Sequence, residues 1–188
     1  MTNQSDTNTK QKTFTTQNIV IMAMFAAILC ISAYLSIPLP NGSHITLLNF
    51  AVTLIALLFP ASQSFCIVLV WFLLGSVGVP VFIGGNAGIG YILGNFGGYS
   101  LSFLLIAILV PILTGRKYNR IRATIVAIFS AVLVDLFGML QWMLLGHLSL
   151  TQAFVAGFAS FIVLDLVKAI IAAQIVPAFR LILHTAND

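Results

Sequence analysis

The sequence predicts an all-α integral membrane protein, six transmembrane helices with a glycine-rich extracellular loop between the third and the fourth. Three observations predict it. Hydrophobic residues make up 60% of the 188-residue chain and charged residues only 6%, against about 25% in soluble domains, so no soluble interior could hide this much apolar surface. Residues 13–115, 103 in a row, contain no Asp, Glu, Lys or Arg. The long Ile, Leu, Val, Phe and Ala runs lack the alternation that barrel strands need, which leaves helices as the spanning element.

The net charge of +4 does not point to nucleic acid, because the basic residues sit at segment ends rather than in one patch. Cys30 and Cys66 lie in apolar segments as small hydrophobes, which gives neither a disulfide nor a metal site. Leu29 occupies the position where a lipoprotein cleavage site wants a small residue, so the first apolar run is read as a retained span. Residues 1–18 are read as a flexible cytoplasmic tail carrying Lys10 and Lys12, and residues 19–184 as a single membrane domain.

Span 1 runs over 19–37, with Ala23 and Ala27 forming a small-xxx-small face that permits close helix approach. By spacing alone this is a packing face. Pro38-Leu39-Pro40-Asn41-Gly42-Ser43-His44 then breaks the helix. His44 is a lone loop histidine and is read as solvated. From 45 to 74 the chain is apolar except at Pro60-Ala61-Ser62-Gln63-Ser64. A single span here would place Arg116, Lys117, Arg120 and Arg122 outside, against the positive-inside rule, so two spans are predicted, the first of them short.

Gly75 to Gly98 holds nine glycines in 24 residues, and each would cost a helix interior roughly 1 kcal/mol relative to alanine. The backbone there is predicted irregular, folded over a pocket with Asn86, Tyr91 and Asn95 among its polar residues. Gly94-x-x-Gly97-Gly98 leads into span 4 (99–113), where free backbone N–H groups would approach a small ligand. No G-x-x-x-x-G-K-[ST] motif occurs, so ATP-driven work would need a separate partner. Thr114 to Arg122 is a basic cytoplasmic turn.

Span 5 (123–145) holds Asp135, read either as a ligand or proton site or as an acid bonded to a neighbouring helix. His147 follows in a short turn without a metal-ligand partner. Ser149 and Gln152 match a capping box that opens span 6. Along that span Asp165 lies about 18 Å from its start at the usual helical rise, near mid-membrane, and Lys168 follows three residues later on the same face. With six spans both termini are cytoplasmic, and Lys168 is the one Lys or Arg away from that side.

Ionisable groups at membrane depth are functional-site candidates by default. Lys168 offers three donors, Asp165 only acceptors, and a ligand with an anionic end and an N–H-bearing end would satisfy both. The alternative is an Asp165 to Lys168 ion pair that locks span 6 in the bundle. Two other classes remain open at this point: an enzyme using Asp135 and Asp165 as paired carboxylates, and a self-sufficient carrier, which usually shows more intramembrane titratable groups or an inverted repeat.

Gly75-x-x-Gly78-Val79-Pro80-Val81-Phe82, Gly84-Gly85-Asn86-Ala87-Gly88, Gly94-Asn95-Phe96-Gly97-Gly98-Tyr99 and Asp165-Leu166-x-Lys168 together resemble the BioY family, the biotin-specific S components of energy-coupling factor (ECF) transporters. The resemblance covers nearly the whole chain after the tail. It implies a non-enzymatic subunit of the bacterial cell membrane that needs no cofactor, captures biotin from outside and works with a transmembrane coupling subunit and two ATPase subunits. It also implies that Ala23 and Ala27 dock on the coupling subunit. Lys168 would meet the carboxylate region or the polar head of biotin, with Asp165 and Asn86 on the ureido ring and Tyr91, Asn95 and Tyr99 adding polar contacts. The chain departs from the family pattern at Asn95-Phe96 and at Asp135.

Overall fold

The computed structural model describes residues 15–39, 44–115 and 117–185. Most of the predicted tail, the Pro40-Asn41-Gly42-Ser43 part of the turn and Arg116 lie outside the described residues. Among the described ones, α1 (Thr16–Ser32) is followed by a short antiparallel hairpin, β1 (Ser36–Pro38) and β2 (His44–Thr46), in which Ser36 faces Thr46 and Pro38 faces His44. Then come α2 (Leu48–Leu58), α3 (Ala61–Ser76), a 3-10 turn at Ile83–Gly85, α4 (Ile89–Ile92), α5 (Gly97–Thr114), α6 (Arg120–Leu145), α7 (Leu150–Ala153), a π-helical segment at Phe154–Ala159 and α8 (Ser160–Thr185).

The first helix is shorter than its apolar run. It starts on Thr15, whose hydroxyl accepts from the Asn18 N–H at 3.3 Å, and it ends at Ser32. Ser36 to Pro38 leaves it as an extended strand. Pro38 has no N–H to continue a helix and pushes Ile37 out of helical backbone, so the expected span 1 loses its last residues to the hairpin.

The expected break near Pro60 is present, and it separates α2 from α3. Eight of the eleven residues of α2 are buried, which marks a helix apolar all round and enclosed by others. It packs against α1, α3, α5, α6 and α8. Around it α1 packs on α3, α3 on α5, α5 on α6 and α6 on α8. Arg180 closes one end of this arrangement: its guanidinium donates to the Leu57 carbonyl at 3.0 Å, a cation on the last carbonyls of α2, and lies 5.4 Å from the centre of the Tyr118 ring.

Gly97–Thr114, Arg120–Leu145 and Leu150–Leu181 are long and apolar enough to cross a membrane, while Thr16–Ser32, Leu48–Leu58 and Ala61–Ser76 are shorter apolar helices. The Ser149 and Gln152 capping box forms as expected. The last helix runs on through Pro177 to Thr185, further than a proline usually permits, as apolar bundles allow when neighbours take up the freed backbone groups.

Glycines at the α5–α6 contact serve approach rather than exposure of N–H groups. A Cβ at Gly98 would meet the Phe137 carbonyl oxygen at 2.6 Å, and one at Gly138 would overlap the Tyr99 ring. Gly97 and Gly98 are buried in that contact, while their neighbours Phe96 and Tyr99 line a cavity.

Candidate functional site

Between the hairpin, the start of α2, the glycine-rich segment and α8 lies a cavity of about 310 Å³, within the size range of small-molecule sites. Its polar floor is made where three distant segments meet. Asp165 on α8 is 5% exposed; its Oδ2 accepts from the Asn49 amide of α2, and its Oδ1 accepts from Lys168 Nζ at 2.8 Å. The same ammonium donates to the Thr46 carbonyl of β2 at 2.8 Å. Asp165 and Lys168 therefore form the ion pair that their spacing allowed. Asp165, Asn49 and Thr46 also line the cavity, while Lys168 stands behind Asp165 as its counter-ion.

The pair does not saturate the acid. A carboxylate has about four lone-pair sites, and two donors leave capacity for N–H groups of a ligand.

Asn86, in the glycine-rich segment, lines the cavity and donates its amide to the Ile83 carbonyl at 2.7 Å. Its backbone carbonyl receives the Phe82 N–H at 2.9 Å, which closes the loop over the 3-10 turn. That loop is held to the core by Phe82, stacked on Tyr91 at 5.1 Å and packed edge-on against Trp71 at 5.3 Å. The Trp71 indole in turn donates to the Val81 carbonyl at 2.8 Å. Tyr91 lines the cavity with its hydroxyl buried beside Ser100 and without a completed hydrogen bond. Burial pushes that phenol above its ordinary value. Tyr99 contributes its ring, since its hydroxyl donates to the Gly157 carbonyl at 2.6 Å. Phe96 and Phe161 complete the apolar wall.

Of the sequence-predicted site residues, Asn86, Tyr91, Tyr99 and Asp165 surround one cavity and Lys168 supports it from behind. Asn95 is exposed and does not line it. Ala23 and Ala27 are exposed on α1, away from the cavity, while Ala26 between them is buried. His44, read from sequence as a solvated loop residue, is a half-buried strand residue that lines the cavity. Strand pairing with Pro38 turns it inward, and the sequence reading missed that pairing.

Asn49 was also missed. Its signal was a lone carboxamide in the apolar run 45–58, itself costly in a membrane helix. Asp135 is fully buried, its carboxyl set beside that of Asp165, with no amide, hydroxyl or ammonium donor on either oxygen. Among the described residues no group of His, Cys, Asp or Glu has a metal-binding arrangement. What the cavity offers is an acceptor-rich floor, a carboxamide and aromatic walls, a chemistry suited to binding a compact ligand that has both N–H groups and an apolar body.

A sequence model of the BioY family matches residues 5–185 of the chain. The chain is 33% identical over 155 residues to "Biotin transporter BioY2" of Lactococcus lactis subsp. cremoris, covering 82% of this chain and 85% of that one. It is 31% identical over 169 residues to "Probable biotin transporter BioY" of Pyrococcus horikoshii, covering 88% and 96%. Its structure resembles a crystal structure described as the S-component for biotin from an ECF-type ABC transporter, with a TM-score of 0.78, 26% identity, and 88% and 91% of the two chains covered.

Proposed function

The chain belongs to the BioY family, and from that premise we propose that it is the biotin-capturing S component of an ECF transporter. Its relatives are described as transporters, which favours transport over the paired-carboxylate enzyme. The observation that carries the ligand is the Asp165 floor: an anionic acceptor held by Asn49 and Lys168 inside an aromatic-walled cavity. The cyclic urea of biotin presents two N–H donors and a carbonyl on a compact apolar bicycle. Asp165 accepts from the urea, Asn86 and Asn49 stand near its polar edge, and Tyr91, Phe96, Tyr99 and Phe161 cover the ring system.

In this reading the six apolar segments cross a bacterial cell membrane six times, with residues 19–184 as one membrane domain and both termini cytoplasmic. The glycine-rich segment and hairpin close over the ligand from outside. Energy comes from a coupling subunit and two ATPases. The exposed Ala23 and Ala27 face, flanked by Met24 at 61% and Ile31 at 62% exposure, supports docking of α1 on the coupling subunit, since small residues let helices approach closely.

Titrating the purified protein with biotin tests the ligand. Saturable binding below about 1 μM, worth roughly 8 kcal/mol, is expected, and absence of saturable binding would overturn the assignment. Co-purification with ATPase subunits tests the partner separately, and Ala23→Trp is expected to abolish it while biotin still binds.

A further inference from the structure

We propose that His44 holds the carboxylate end of the ligand, at the part of the cavity away from Asp165. The inference rests on the biotin reading and adds the recognition of its acid tail. Biotin carries its cyclic urea at one end and a carboxylate at the other, so the two ends need opposite partners. The Asp165 end repels an anion. Lys168 does not compensate for this, because it stands behind the acid, with contacts to Asp165 Oδ1 and the Thr46 carbonyl. Of the described side chains that line the cavity, His44 is the one that can carry a positive charge.

Its position suits the task. Thr46 marks the Lys168 end of β2, and His44 is two residues further along, on the same face by strand alternation and about 7 Å away at the usual rise. The ring is held in place: Nδ1 lies 3.3 Å from Ser36 Oγ across the hairpin, and the imidazole rests on Gly84. That contact explains a glycine. At φ +71° its Cβ would come within 2.7 Å of His44 Cε1, so a side chain at Gly84 would be strained in itself and would evict the ring. With one imidazole nitrogen committed to Ser36, the other meets the carboxylate, a charge-assisted contact of the stronger kind.

The test compares biotin with biotinol, in which an uncharged alcohol replaces the carboxylate, by titrating the purified chain and its His44→Ala and His44→Gln variants. The wild-type protein is expected to prefer biotin by about tenfold or more. His44→Ala should erase that preference by weakening biotin far more than biotinol, and His44→Gln, which keeps a donor, should retain part of it. Retained preference in His44→Ala, equal losses for both ligands, or a wild-type protein that binds the two alike would overturn the His44 assignment while leaving biotin capture standing. A wild-type protein that binds neither ligand would overturn the biotin reading, and this assignment with it.

Discussion

Asp165 and Asp135 are neighbours in the same bundle, both buried, and they differ in almost everything else. Asp165 has an amide from α2 and an ammonium from its own helix, and it opens onto a cavity. Asp135 is 0% exposed, has the carboxyl of Asp165 beside it but no amide or ammonium donor, and does not line the cavity. Burial alone thus does not identify a working carboxylate. A charge kept out of water needs donors, and the two acids differ in the residues that supply them.

The comparison can be tested in order of expected effect. Lys168→Met leaves Asp165 without its counter-ion, and breaking a buried pair from one side costs about 3 kcal/mol; thermal unfolding in detergent should show a clear drop in midpoint. Asp165→Asn removes the anionic acceptor and should weaken biotin binding by about a hundredfold, the scale of truncating a buried charged contact. Gly138→Ala places a methyl group into the Tyr99 ring and should cost about 2 kcal/mol of stability by overpacking. Its affinity loss should track displacement of the Tyr99 to Gly157 bond. Asp135→Asn should change biotin affinity by less than about twofold, and Asp135→Leu should raise stability by about 1 kcal/mol, since it removes an unpaired buried polar group. An Asp135→Asn variant that lost binding as Asp165→Asn does would break the contrast and make the two acids one functional unit.

Much of this contrast was legible in the chain. Asp165 and Lys168 stand out because they interrupt an apolar helix three residues apart, and local spacing is enough to pair them. The glycine-rich stretch announces irregular backbone by composition. What pairs with Asp165 from outside is different: Asn49 lies 116 residues away, and helix-to-helix juxtaposition has no local signature. Thr46 contributes a backbone carbonyl, which any residue at that position would carry. His44 depends on strand pairing across a turn, which two prolines and an Asn-Gly pair made look like mere loop. Gly97 and Gly98 show the opposite error, because the same residue type that frees a backbone for a ligand also lets two helices touch.

The π-helical segment at Phe154–Ala159 has an effect well beyond its own turn. An α-helix advances about 100° per residue, and the wider turn of a π segment accommodates one extra residue within an otherwise regular rod. Everything after it is therefore rotated relative to everything before it. The capped start of α7 and the acid-bearing stretch of α8 meet the bundle at angles no uninterrupted helix would give together. The wide turn works as a phase adjuster: it decides which way Phe161 and Asp165 look, although it holds neither of them.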